Sequence, residues 1–282
     1  MRRAALALGL LALAGAAVGC SQANPGGSRP SVVADTSPGA RPQSQRRLVF
    51  HADFSAAKLD GRRWNRCHWW AEGGCTIASN SELEWYLPGQ VRVRNGRVRL
   101  VAERRAVRGS DGKRYPYRSG MISSGPPSST TRAKYAFRYG RAEIRARVPA
   151  GKGLWSAFWL LPADRRSKPE IDVMEILGHR PETLEMHLHY RDREGHARQR
   201  GREWRDRGLR RGWHRFAVDW RPGRLAWLVD GVVRWRVRGK AVPSERMYLV
   251  ANLAVGGEWP GAPNAATRFP SALVIDHVKV WR

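Results

Sequence analysis

Between Lys168 and Leu177 the chain reads Lys-Pro-Glu-Ile-Asp-Val-Met-Glu-Ile-Leu, which sets three acids, Glu170, Asp172 and Glu175, among apolar residues. Carboxylates in such a run are paired or at work, because burying an unpaired charge is costly. Alternate residues of a strand share a face, so Glu170 and Asp172 point one way and Glu175 has the opposite parity. One β-bulge between Asp172 and Glu175 adds a residue and returns all three to one face. A helix does worse: at ~100° per residue, positions five apart lie roughly 140° from each other. Two facing carboxyls, about 5–5.5 Å apart, suit the splitting of a glycosidic bond with retention. One attacks the anomeric carbon; the other protonates the leaving oxygen and then activates water. That second acid must hold its proton near neutral pH, and negative charge at Glu170 and Asp172 raises the pKa of Glu175. Three acids alone are equally a solvated acidic edge or a metal site.

The elements that must position these acids are strands. Short runs rich in β-branched and aromatic residues recur at Val98 to Ala102, Ala142 to Val148, Leu154 to Leu160, Arg215 to Trp220, Leu225 to Val229, Val232 to Val237, Met247 to Leu253 and Leu273 to Trp281. Asn95-Gly96 and Asp230-Gly231 between such runs are hairpin signals; Pro149-Ala150-Gly151 and Pro222-Gly223 are further turns. No long stretch has helical periodicity. Many short strands with regular turns predict an all-β antiparallel sandwich or barrel. Most of the 13 Trp residues belong in its core, while a groove lined by indole also suits the flat faces of sugar rings.

Met1-Arg2-Arg3 followed by an apolar run from Ala4 to Val18 reads as a secretory signal, too short for a comfortable membrane span. Ala17-Val18-Gly19-Cys20 resembles a bacterial lipobox, which makes Cys20 the expected lipidation site and residues 1–20 the signal. Residues 21–46, rich in Ser, Gly and Pro, read as a flexible spacer. Residues 47–282 suit one large domain. With Cys20 lipidated, Cys67 and Cys75 remain as an even pair, and secretion permits a disulfide between them. Two buried thiols are the alternative.

The net charge is +27. Clustered Arg invites a nucleic-acid reading. Here, however, Arg alternates with apolar residues, as in Val91-Arg92-Val93-Arg94 and Val98-Arg99-Leu100, the pattern of a strand with one wet, basic face. A solvated surface explains this, and attraction to an acidic polymer or membrane surface is the sharper alternative. No nucleic-acid partner is expected.

Glu170-Ile171-Asp172-Val173-Met174-Glu175 resembles the E-x-D-x-x-E signature of glycoside hydrolase family sixteen, the laminarinase and lichenase family. The likeness extends to Tyr139 to Pro149, Gly153 to Pro162, Glu82-Leu83-Glu84-Trp85-Tyr86, Asn252 to Gly261 and the closing Ile275 to Trp281, so it covers about Leu48 to the C-terminus. It implies a jelly roll with a sugar-binding cleft on its concave face. Glu170 is then the nucleophile, Glu175 the acid/base, and Asp172 the residue that orients and tunes them. His189, chosen over His187 because Tyr190 follows it, matches a histidine beside the catalytic strand. Trp155, Trp159 and Trp259 match cleft aromatics, and Asn80 matches a subsite asparagine. Pro169 stands where many members carry Gly, and Asp53 where many carry Glu. Catalysis then needs no cofactor; a structural calcium ion at Asp53, the Gly96 main chain and Asp276 is the one candidate.

The expected activity is that of a secreted, monomeric, lipid-anchored endo-β-glucanase cutting β-1,3 or mixed β-1,3/1,4 glucan. Alternatives are hydrolysis of another, acidic polysaccharide, a non-catalytic carbohydrate-binding surface protein, and a charge-driven binder of nucleic acid or membrane surfaces. Binding alone does not need all three acids.

Overall fold

A computed structural model describes residues 46–68 and 75–282. The signal, Cys20 and the spacer lie outside the described residues. Eighteen strands run through the described part. The first eight are β1 (Leu48–Ala52), β2 (Glu84–Tyr86), β3 (Val91–Arg94), β4 (Arg97–Ala102), β5 (Val107–Arg108), β6 (Arg114–Tyr115), β7 (Tyr117–Ser119) and β8 (Met121–Ser123). Then come β9 (Gly140–Arg147), β10 (Leu154–Pro162), β11 (Glu170–Leu177), β12 (Thr183–Arg191) and β13 (Ala197–Arg205). Last are β14 (His214–Arg221), β15 (Arg224–Val229), β16 (Val232–Arg238), β17 (Met247–Val255) and β18 (Ser271–Trp281).

Two antiparallel sheets face each other. One has the order β16-β15-β14-β9-β18-β4-β3, with β1 also on β18; the other has the order β13-β12-β11-β10-β17-β8. Alternation explains the layering. In β9, Ala142, Ile144 and Ala146 enter the core; facing them from the second sheet are Phe158, Ile171, Leu188 and Leu249, all fully buried. Each of the larger of these, Ile, Leu or Phe, contributes about 1.5–3 kcal/mol by leaving water. The Asn95-Gly96 pair joins β3 to β4 and Asp230-Gly231 joins β15 to β16. All four residues have positive φ (52°, 66°, 49° and 86°), as a tight hairpin turn that follows the strand twist requires.

The eight strand runs read from the sequence coincide with β4, β9, β10, β14, β15, β16, β17 and β18. Missing from that reading were β8, β12 and β13 of the catalytic sheet. The edge strand β13, Ala-Arg-Gln-Arg-Gly-Arg-Glu-Trp-Arg, is exposed along nearly all its length, so no apolar pattern marks it. Its charged side chains suit an edge that must not pair with another chain.

Cys67 and Cys75 are joined by a disulfide, their Cα atoms 5.4 Å apart.

Candidate active site

The three acids owe their common direction to one extra residue. Against β12, Asp172 pairs with His187 and Glu175 with Glu185, so Val173 and Met174 together oppose Met186 alone. Against β10 the register shifts at the same place, where Phe158 pairs with Met174 and Trp159 with Asp172. Both bulge residues, like Ile171 and Ile176, enter the core. Glu170, Asp172 and Glu175 line a cleft of about 810 Å³ on the outer face of the sheet. Trp227, from the opposite sheet, donates its indole N–H to the Asp172 carbonyl at 2.8 Å, which ties the bulge to the core.

The acids are held among two histidines and a lysine. His187 Nδ1 lies 2.7 Å from Glu175 Oε2. His189 Nε2 lies 3.2 Å from Asp172 Oδ2 and 3.9 Å from Glu170 Oε1. Lys168 Nζ donates to Glu170 Oε2 at 3.0 Å. Burial, then the charge of Asp172, pushes Glu170 up to about 7, against the pull of Lys168 and His189. Burial, then Glu170 and Glu185, pushes Glu175 up to about 8. Asp172 is driven well above its ordinary value by burial and by Glu175. Burial brings His189 down to about 4, so it is neutral at physiological pH. Burial thus raises both carboxyls, and Lys168 at 3.0 Å favours the charged form of Glu170 that a nucleophile needs.

The walls are aromatic and polar. Trp155 and Trp259 meet edge to face with centroids 5.1 Å apart, and Trp259 is 39% exposed. Trp159 donates its indole N–H to Asn252 Oδ1 at 2.8 Å, and Asn252 Nδ2 donates to Tyr86 Oη at 3.1 Å. Tyr86 in turn donates to Glu82 Oε2 at 3.1 Å, and Asn80 Nδ2 donates to Glu82 Oε1 at 3.0 Å. Glu82 and Glu84 are both buried, and burial raises both pKa values. Gly201 stands opposite His187, where a Cβ would meet the imidazole Cδ2 at 2.5 Å, so the bare backbone gives the ring its place.

Every predicted cleft residue lines this space: Asn80, Trp155, Trp159, His189 and Trp259, with the three acids. The sequence reading passed over His187, Lys168, Glu185 and Gln199. His187 shares the parity of His189 on β12, so choosing one over the other was unnecessary once a strand was recognised there. Asp172, His187 and His189 bring possible metal-ligating atoms within 4.8 Å of one another. His187 is already bonded to Glu175, at 2.7 Å.

The calcium candidates do not fit a cation site. The exposed Asp53 accepts the main-chain N–H of Ser55 at 3.1 Å and its hydroxyl at 2.9 Å. Asp276 faces Arg145 at 3.1 Å, Arg97 at 3.8 Å and His277 at 2.9 Å. Calcium wants six to eight oxygens, and two guanidinium groups already neutralise the carboxylate that would supply one.

A jelly roll with three acids on a cleft-facing strand, flanked by histidines and indoles, defines a glycoside-cleaving sandwich. Residues 80–270 match the model for glycosyl hydrolases family 16, and the chain belongs to that family. It is 32% identical over 270 residues to the β-glucanase of Rhodothermus marinus, covering 83% of this chain and 85% of that one. It is 30% identical over 253 residues to the endo-1,3-1,4-β-glycanase EglC of Rhizobium meliloti (strain 1021), covering 83% of this chain but only 51% of that protein. Among solved structures, the endo-β-1,3-glucanase from Pyrococcus furiosus superposes with a TM-score of 0.72 at 29% identity, covering 84% of this chain and 94% of that one. The laminarinase catalytic domain from Thermotoga maritima MSB8 superposes with a TM-score of 0.73 at 28% identity, covering 84% and 98%.

Proposed function

We propose that the protein is an endo-acting, retaining β-glucanase of the laminarinase type, cutting β-1,3 or mixed β-1,3/1,4 glucan as a monomer and without a cofactor. The observation that carries this reading is the bulge that sets Glu170 and Glu175 on one face of the cleft, with Lys168 beside Glu170 and His187 beside Glu175. Glu170 attacks the anomeric carbon while Glu175 gives its proton to the leaving oxygen. Glu175 then takes a proton from water, which releases the sugar from Glu170. Asp172 and His189 sit against the nucleophile, and His187 Nδ1, 2.7 Å from Glu175 Oε2, holds the acid/base in place. The names of the relatives support the glucan. Trp155 and Trp259 offer indole to the sugar rings.

The protein is proposed to act outside the cytoplasm, anchored through lipid on Cys20, with a polysaccharide substrate and no nucleic-acid partner. The signal-like start and the disulfide support that location. Release of reducing ends from laminarin, lichenan and a galactan panel tests the substrate. Proton NMR of the first product tests the mechanism: the β-anomer is expected first, and inversion would exclude the covalent route. Cys20→Ala should move the protein from the membrane fraction to the medium; an unchanged distribution would remove the anchor.

A further inference from the structure

The sheet of order β16-β15-β14-β9-β18-β4-β3 turns its outer face away from the active site. Val98 and Leu100 of β4, Ile144 and Ala146 of β9, and Val237 of β16 enter the core. The arginines that alternate with them point outward. Across this face arginine stands directly opposite arginine: Arg94 with Arg97, Arg145 with Arg215, and Arg224 with Arg238. We propose that this face docks on an anionic lipid bilayer, with the cleft turned to the surrounding solution. The inference goes beyond the glucanase reading and takes from the preceding proposals only the tether at Cys20.

Like charges directly opposite one another across strands are destabilising. The acids of the face do not cancel them. Glu143 is paired with Arg141 at 2.6 Å and Asp219 with Arg46 at 2.8 Å, while Asp276 is shared between Arg145 at 3.1 Å and Arg97 at 3.8 Å. Arg94, Arg99, Arg147, Arg236 and Arg238 are exposed and form no ion pair among the described residues. Counter-charge from outside the protein relieves this repulsion.

A second observation is a recess of about 140 Å³ in the same face. The guanidinium groups of Arg94, Arg97, Arg99 and Arg147 line it with Trp213, and no acid does. Arg97, Arg145 and Arg147 lie 5.0, 5.2 and 5.8 Å from the centre of the Trp213 ring. An indole holds guanidinium groups in place without cancelling their charge. Guanidinium groups that converge on one recess suit a phosphate, which accepts paired hydrogen bonds from each.

The occupant follows from the route of the chain. Arg46, the first described residue, reaches Asp219 of β14. Val218 and Trp220 enter the core, so Asp219 belongs to the outer face and the chain joins the domain beside it. Residues 21–45 separate Cys20 from Arg46, at most about 90 Å at full stretch. A lipid on Cys20 therefore keeps the domain concentrated near the bilayer, where a modest attraction per arginine is enough to orient it. Seven strands spaced by about 4.8 Å make the face about 30 Å across, a breadth that meets many headgroups at once. The cleft, on the outer face of the other sheet, stays open to a polymer.

The test is co-sedimentation with vesicles of the full chain carrying Cys20→Ala, so that no lipid on the protein contributes. Vesicles of phosphatidylglycerol and phosphatidylcholine are compared with phosphatidylcholine alone. The anionic vesicles should bind about tenfold tighter or more at low salt, and the preference should shrink at about 0.5 M salt. Arg94→Gln, Arg99→Gln, Arg236→Gln and Arg238→Gln together should weaken binding to anionic vesicles by about tenfold or more. The same loss of charge outside this face, by Arg108→Gln, Arg114→Gln, Arg200→Gln and Arg202→Gln on β5, β6 and β13, should cost about threefold or less. The face variant loses like-charge pairs, so its unfolding midpoint should equal or exceed that of the parent. Its kcat/KM on laminarin should stay within about twofold, and protein held on vesicles should cut laminarin as the free protein does. Equal affinity for the two kinds of vesicle, an equal loss in the two variants, turnover lost on vesicles, or tighter binding of duplex DNA or alginate than of anionic vesicles would each overturn the proposal. Selective docking by a protein that cuts no glucan would support the face and remove the glucanase reading alone.

Discussion

Glu170 and Glu175 differ in proton affinity because their neighbours differ. Glu170 has the Lys168 ammonium at 3.0 Å; Glu175 faces the charges of Glu170 and Glu185. The pH profile of kcat/KM should rise as Glu170 ionises near 7 and fall as Glu175 deprotonates near 8. Lys168→Met removes the cation that holds Glu170 down, so the rising limb should move to higher pH. Glu175→Gln should cost about 10²–10⁴-fold in kcat and abolish the falling limb. The same shifts act on stability. Both folded-state values are raised above the ordinary 4.5, so the stabilisation they give is complete below about pH 4.5 and is lost as pH rises through about 7 and about 8. Thermal unfolding at pH 9 should therefore find Glu175→Gln more stable than the parent; a lower midpoint would contradict the charged, buried carboxyl.

One strand carries the geometry. The bulge at Val173-Met174 decides whether Glu175 faces the cleft or the core, because side chains alternate with a period of two. Deleting Val173 should turn Glu175 inward, abolish hydrolysis and lower the unfolding temperature, since a carboxyl would replace apolar packing. The Trp227 bond to the Asp172 carbonyl supports the bulge from the opposite sheet. Trp227→Phe keeps most of the buried ring but leaves that carbonyl without its donor, at an expected cost of about 1–3 kcal/mol by denaturant unfolding. If kcat fell while KM stayed, the bond would also be setting the angle of the acids. The alternation rules that place these strands also explain why β13 went unseen: a pattern test needs a buried face, and β13 is exposed along nearly all its length, with Gln199 at the cleft.

At the scale of the molecule, the Cys67–Cys75 bond closes a short loop, with a sequence separation of 8. The chain-entropy estimate for such a loop is about 2–3 kcal/mol. Cys67→Ser with Cys75→Ser should lose about that much stability with the sandwich intact by circular dichroism. The +27 charge is partly absorbed by ion pairs, such as Arg180 with Glu185 and Glu203 and Arg198 with Asp192. The three acids, their order on a strand and the need for a bulge were legible in ten residues, because alternation and the cost of buried charge are local rules. The alternating basic segments and the turn pairs likewise marked most strands.

Other features required the folded chain. His187 meets Glu175 only because β12 pairs with β11, and Trp227 reaches Asp172 from 55 residues away. The expected calcium site became an Asp276–Arg145–Arg97 cluster because β18, β9 and β4 lie side by side. Residue type and spacing determine which face a side chain takes; which charges stand opposite it depends on strands brought together from distant parts of the chain, and burial there then shifts every pKa on which the chemistry depends.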